Sequence, residues 1–273
     1  MRGREFGADA AILRGMEECD LAEELIRLDS SRQPGVTACV ELIHGWLIAR
    51  GVPVRRKHLA EGREVLLAQR GTGPRRLLLC GHLDVVPAEA ELFEPTRDNG
   101  RLRGRGAYDM KGALAVMMLV IAGIPEPSPS AGVSLLIVPD EERTDLGRDA
   151  PGEDANCTEI MVERGLGADF VICGEPTDMD VGVQAKGVLM MRIVIPGTAA
   201  HGSTPWLGDN AILRAVDYYE RVMNLPFATT SSELFSRPSV NLSGITGGEA
   251  LNSVPGRCAI DIDIRYVPGQ DPQ

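Results

Sequence analysis

Three apolar stretches of the sequence stop on residues that bind cations or move protons. LLLCGHLD ends with His82 and Asp84, LLIVPDEE with Asp140, Glu141 and Glu142, and FVICGEP with Glu175. One carboxylate in such a place is commonly a loop cap. Three such endings, one of them with a histidine, point to a shared site, because ligands of open α/β sheets gather at the carboxyl ends of strands. Between them, GRGAYDMKG sets Asp109 in a glycine-rich loop. Imidazole together with carboxylates suits zinc or a similar borderline cation. His82 and Asp84 are two apart, so on extended chain they project to one side. Asp84 is then placed to bond the imidazole and fix its tautomer. In the DEE triplet one acid can hold a cation while its neighbour takes a proton from water. His44 and His58 have no acidic company and read as structural. His201, in GTAAHGSTPW, lies among small residues and turn formers, and spacing alone leaves its role open.

The elements that must hold these residues follow from periodicity. Residues 20–30 and 40–49 repeat apolar positions at helical spacing, with Pro34-Gly35 read as the break between two helices. VPVRRKHLAEG and REVLLAQRG read as paired strands, RRLLLCGHLDVV as a strongly apolar strand, and 111–123 as a buried helix. GVSLLIVPDEE and ADFVICGEP are two further apolar strands with a helical stretch between them. Near-continuous apolar strands alternating with helices predict an α/β fold: a mixed, largely parallel catalytic sheet covered on both faces by helices. Near Lys186 the character changes. Strand GVLMMRIVIPG, amphipathic helix 210–224, and strands RPSVNLSGITGG and GRCAIDIDIRYV follow in order. That order is the first part of a ferredoxin-like split βαβ unit. The expected domains are therefore 1–185 and 186–273.

Composition narrows the function. The 273 residues carry a formal charge of −11 and no basic stripe, which argues against nucleic-acid binding. The six cysteines are scattered without a CxxC pair, and Cys80 and Cys173 lie in apolar runs where a thiol packs as a small hydrophobe. A reducing compartment is favoured over a disulfide framework. The start of the chain, with Arg2, Arg4 and Glu5, does not read as a signal peptide, and the longest apolar run, 114–124, is too short to span a bilayer. A cytoplasmic protein is expected. GRGAYDMKG lacks the G-x-G-x-x-G form of a dinucleotide-binding loop.

Taken in order, GHLDVVP, GRGAYDMKG, PDEE, GEPT, GTAAHGSTPWLGDNA and ITGGEALNSVPGRCAIDIDIR resemble the zinc aminoacylase and carboxypeptidase family M20. That family includes acetylornithine deacetylase, succinyl-diaminopimelate desuccinylase, aminoacylase-1 and glutamate carboxypeptidase. The resemblance covers essentially the whole chain. It implies that His82, Asp109 and Glu175 bind one metal, that Asp109 bridges to a second, and that Glu142 is a ligand of that second metal. It makes Glu141 the general base and acid and Asp84 the partner of His82. It implies hydrolysis of the amide bond of N-acyl amino acids by a water bridging two zinc or cobalt ions. A metallo-carboxypeptidase or dipeptidase is the neighbouring alternative. The smaller domain would be a lid that also makes a homodimer. His201 would reach a partner's active site, Asn252 would approach substrate, and Arg265 would hold the substrate carboxylate. Bidentate Arg–carboxylate pairing suits an amino-acid-like ligand.

The sequence departs from the family in one respect. Members complete the lid and return to the catalytic domain with a last histidine for the second metal, whereas this sequence stops at PGQDPQ after the third lid strand. The expectation is a C-terminally truncated piece of a longer product, with a complete first site and a second site holding only Asp109 and Glu142. A non-catalytic metal-binding or dimerising fragment is the alternative from a different class. The catalytic sheet is expected to expose apolar surface where its closing elements are absent. The polar stretch 143–157 reads as a solvated loop.

Overall fold

The computed structural model describes residues 17–60, 63–128, 130–142 and 156–271. The start of the chain and residues 143–155 of the polar stretch lie outside the described residues. The chain divides into two compact units, the first ending at Met179 and the second starting at Asp180.

In the first unit, helices α1 (Glu18–Ile26) and α2 (Gln33–Ala49) precede strands β1 (Val54–Ala60), β2 (Arg63–Arg70) and β3 (Arg75–His82). A small ribbon, β4 (Thr96–Asp98) and β5 (Arg101–Arg103), leads to helix α3 (Lys111–Gly123). Strand β6 (Ala131–Val138), helix α4 (Cys157–Glu163) and strand β7 (Phe170–Cys173) follow. The sheet order is β1-β2-β6-β3-β7. β3 pairs in parallel with β6 and with β7, while β2 is antiparallel to both β1 and β6. Four of the five strands therefore run one way, and β2 alone runs against them.

Alternation along the strands sends side chains into two cores. Leu79, Leu135 and Ile137 face the layer built by α1, α2 and α3, with Trp46, Ile43, Leu114 and Met118 fully buried. Leu78, Cys80, Leu136 and Val138 face the opposite side, where Cys157 and Met161 of α4 cover them. Two-sided cover explains the near-continuous apolar runs of β3 and β6. It does not extend to β7: Phe170, Val171 and Ile172 are exposed at the sheet edge, and so is Cys173, which the sequence reading had packed as a small hydrophobe. All six cysteines are free thiols.

Pro34-Gly35 does not separate the two helices. Pro34 sits in the first turn of α2, where a missing N–H costs nothing because that group has no intrahelical acceptor. Polar side chains tie helix ends to the sheet. Arg70 donates to the carbonyls of Arg50 (3.1 Å) and Gly51 (2.8 Å) at the end of α2. Lys111 is wholly buried and donates to Leu25 and Leu28, at 2.8 Å each, at the end of α1. A cation there satisfies carbonyls that the helix leaves without partners.

The second unit holds β8 (Gly187–Pro196), β9 (Ala200–His201), helix α5 (Ala211–Met223), β10 (Ser239–Gly247), β11 (Ser253–Val254) and β12 (Arg257–Tyr266). Its three-stranded sheet has the order β10-β12-β8, with β12 antiparallel to both neighbours. β8 and β10 are thus parallel to each other, joined through α5, with β12 inserted between them: a split βαβ unit. Cys258, Ile260, Ile262 and Ile264 turn inward onto Ala211 and Ala215 of α5, while Asp261, Asp263 and Arg265 alternate to the other face. Asn210 caps α5, its side-chain oxygen accepting from the amides of Ile212 (2.9 Å) and Leu213 (3.4 Å). No helix among the described residues is long and apolar enough to cross a membrane.

Candidate metal centre

The ends of β3 and β7 share one pattern. Cys80-Gly81-His82 and Cys173-Gly174-Glu175 lie side by side because Cys80 and Cys173 are register partners. Both glycines are there for space. A Cβ at Gly81 would lie 2.6 Å from the Met110 methyl, and one at Gly174 would lie 2.1 Å from the Met117 methyl and 2.9 Å from that of Met110. The buried Met110 therefore seats the start of α3 directly beneath both strand ends, and the His82 amide donates to its sulfur at 3.3 Å. This close approach brings Asp109, one residue earlier, to the histidine.

His82 is buried at the focus of the cluster. Its Nε2 lies 3.0 Å from Asp109 Oδ1, 3.8 Å from Glu141 Oε2 and 3.9 Å from Glu175 Oε1. Two groups of donor atoms fall within 4.8 Å of one another: His82, Asp109 and Glu175, and His82, Glu141 and Glu142. The ring's Nδ1 is 2.9 Å from the backbone carbonyl of Asp84. A carbonyl only accepts, so Nδ1 carries a proton there and leaves Nε2 as the nitrogen that faces the carboxylates and would bind a cation.

The Asp84 carboxylate is 3.5 Å from Nδ1, and its closer bonds go elsewhere. Its two oxygens accept from the backbone amides of Glu141 (3.2 Å) and Glu142 (2.8 Å). The buried Asp84 thus orients the ring through its main chain and the tip of β6 through its side chain. Asp140, the first acid of the triplet, leaves the site. It is buried beside Arg63 (3.6 Å) and accepts from the Cys157 amide at 3.1 Å, holding the start of α4.

The electrostatics fit a cation. Burial, then the neighbouring Asp109 and Glu141, push the carboxyl of Glu142 above the ordinary range. Glu175 is raised by burial and, through Glu141 and Asp109, by like charge. Burial opposes a charge on His82, but Asp84, Glu141 and Glu175 outweigh it and carry the ring up to about 9. Without a metal the cluster retains protons to relieve its own repulsion; a divalent ion would take their place, and one imidazole with several carboxylates is a donor set suited to zinc.

Two comparisons on sequence bear on this arrangement. The model of peptidase family M20/M25/M40 matches residues 78–188, and that of the peptidase dimerisation domain matches 183–273. The chain belongs to the M20 family. Acetylornithine deacetylase of Photorhabdus laumondii is 30% identical over 258 residues, covering 89% of this chain and 63% of that protein. A probable carboxypeptidase of Aspergillus terreus is 33% identical over 201 residues, covering 71% of this chain and 45% of its own length. The M20 metallo-carboxypeptidase of Sulfolobus solfataricus shares the fold, with a TM-score of 0.70 at 19% identity over 94% of this chain and 72% of that one. This M20 chain thus spans about 63% of the length of the deacetylase it matches.

In the second unit, His201 and Asn252 are neighbours. His201 pairs with Ser253 across β9 and β11, and the Gly202 amide donates to the Asn252 carbonyl at 2.7 Å. The Ser203 amide donates to His201 Nδ1 at 3.2 Å. A backbone amide only donates, so the neutral ring carries its proton on Nε2, on an exposed side chain. Arg265 lies apart from that pair, toward the other end of β12. Its guanidinium is engaged by Asp263, with contacts of 2.9, 3.1 and 3.2 Å.

Sequence reasoning missed Lys111 and the double duty of Asp84. Lys111 had one signal, a lone charge opening an otherwise apolar helix. The amide contacts of Asp84 had none, because they span 57 and 58 residues.

Proposed function

We propose that this chain carries the metal-binding and proton-transfer machinery of an M20 hydrolase that cleaves the amide bond of N-acyl amino acids, as an acetylornithine-deacetylase-like deacylase. The observation that carries the reading is the convergence of Asp109, Glu141 and Glu175 on one buried imidazole nitrogen, with Glu142 in the same cluster. His82, Asp109 and Glu175 would hold the first ion, and Glu142 with Asp109 would contribute to the second, zinc or cobalt in each case. When bound, such ions polarise the amide carbonyl and acidify the attacking water.

The residues divide the remaining work. Glu141 has its backbone held by Asp84 and its carboxylate half-exposed, so it can reach a water and a substrate. It takes the proton from water as it attacks and hands it to the leaving amine. His201, with its proton on the exposed Nε2, is suited to donate to a developing oxyanion. Asn252, beside it across the β9–β11 pair, approaches substrate. Arg265 holds a substrate carboxylate, which requires Asp263 to release the guanidinium. We assign 1–185 as the catalytic domain and 186–273 as a partial lid that pairs two copies, and the six free thiols fit a cytoplasmic setting. A carboxypeptidase or dipeptidase is the second reading, favoured by the likeness to the Aspergillus terreus protein.

The test is Glu141→Ala. Hydrolysis of N-acetylated amino acids is expected to fall by about 10²–10⁴-fold with zinc stoichiometry unchanged. Retained turnover would remove Glu141 as the base. A parallel screen of dipeptides separates peptidase from deacylase, and turnover of neither with zinc bound would favour a non-catalytic fragment.

A further inference from the structure

Tyr108 immediately precedes Asp109, yet the residue is 62% exposed and belongs to none of the hydrophobic clusters. Its hydroxyl donates to the carboxylate of Asp178 at 2.8 Å. Asp178 lies three residues beyond Glu175, on the same loop. The bond therefore joins the two segments that bring Asp109 and Glu175 to His82 Nε2. The Asp178 end is held in an uncommon shape. Asp178 (φ 54°) and Met179 (φ 70°) both adopt left-handed backbone, which is uncommon for non-glycine residues. Glu175 lies two residues beyond the end of β7, which among the described residues pairs with β3 at the edge of the sheet.

We propose that Tyr108 is a positioning residue of the metal centre: its bond to Asp178 straps the Asp109 loop to the Glu175 loop and sets the spacing of the two carboxylates of the first site. The proposal rests on reading this cluster as a metal centre. It assigns Tyr108 no contact with metal or substrate. Its effect passes through loop geometry, to which a ligand set of three is sensitive.

The experiment measures zinc affinity of the 273-residue chain by competition with a chromogenic chelator. Tyr108→Phe, Asp178→Ala, Asp178→Asn and the Tyr108→Phe/Asp178→Ala double variant are compared with the wild type. Melting of the zinc-free forms checks that all are equally folded. Tyr108→Phe and Asp178→Ala are each expected to weaken the tighter zinc site about fivefold, the size of one net hydrogen bond. The double variant is expected to be no weaker than either single one. Asp178→Asn, which keeps an acceptor oxygen for the phenol, is expected to hold wild-type affinity. Wild-type affinity in Tyr108→Phe would overturn the strap and leave the metal centre standing. Weakening in Tyr108→Phe but not in Asp178→Ala would overturn it too, since the tyrosine would then act by another route. A wild-type chain that takes up no zinc would remove the metal centre itself, and the strap with it.

Discussion

The carboxylate of Asp84 faces the amides of Glu141 and Glu142, and the 2.9 Å contact that fixes the His82 ring goes to the Asp84 carbonyl instead. That division is testable, because Asp84→Ala deletes the side chain and keeps the carbonyl. Turnover is expected to fall about 10–100-fold, as for losses beside metal ligands, with first-site zinc affinity within about threefold of wild type. An affinity loss as large as the activity loss would make the carboxylate the partner of the ring after all. If Glu175 is a ligand as proposed, elemental analysis of Glu175→Ala after zinc loading is expected to find one ion fewer per chain. His82 and its acids were legible in the sequence because ligand chemistry demands those residue types at strand ends. The allotment of Asp84 was not, because it depends on which atoms meet across two strands.

Elements place these residues by close approach. α3 reaches β3 and β7 only because Gly81 and Gly174 have no Cβ to meet Met110 and Met117. Gly174→Ala forces those flexible methionine tips aside and is expected to cost about 1–3 kcal/mol in urea unfolding. Zinc affinity should weaken with it if Glu175 is displaced. Lys111 makes the opposite kind of contact, a buried cation on the carbonyls of Leu25 and Leu28. Lys111→Met fills similar volume but leaves two acceptors unmet, so a loss of roughly 2–4 kcal/mol is expected by the same measurement. An unchanged urea midpoint would show that water replaces the ammonium without cost.

For the whole molecule, metal and pH are linked. In the metal-free chain His82 titrates at about 9, against an ordinary value near 6.5. A base whose pKa is raised on folding contributes stability that is full below the unfolded value and is lost as pH climbs through the folded one. The raised carboxyls of Glu142 and Glu175 act in the same direction, since the fold keeps protons that the unfolded chain releases. Urea midpoints with chelator present are therefore expected to drop between pH 6.5 and pH 9. Zinc, taking the place of those protons, should flatten or reverse the trend. A chelated chain equally stable at both values would mean that the cluster does not retain its protons.

By itself the sequence determined the long strands and helices, though not the short pairs β4–β5 and β9–β11, that most strands run one way, and which residue types converge at strand ends. Those properties follow from apolar periodicity and ligand chemistry, both local to a few residues. Pro34-Gly35 was misjudged because proline is as well suited to opening a helix as to separating two. Tertiary structure alone decided that Cys80 and Cys173 pair in register, so that His82 and Glu175 emerge together. It also sent Asp140 to Arg63 and the start of α4, left β7 bare at the edge, and drew Tyr108 to Asp178. Each of these depends on partners tens of residues away, and only the packed sheet brings such partners within a bond's length.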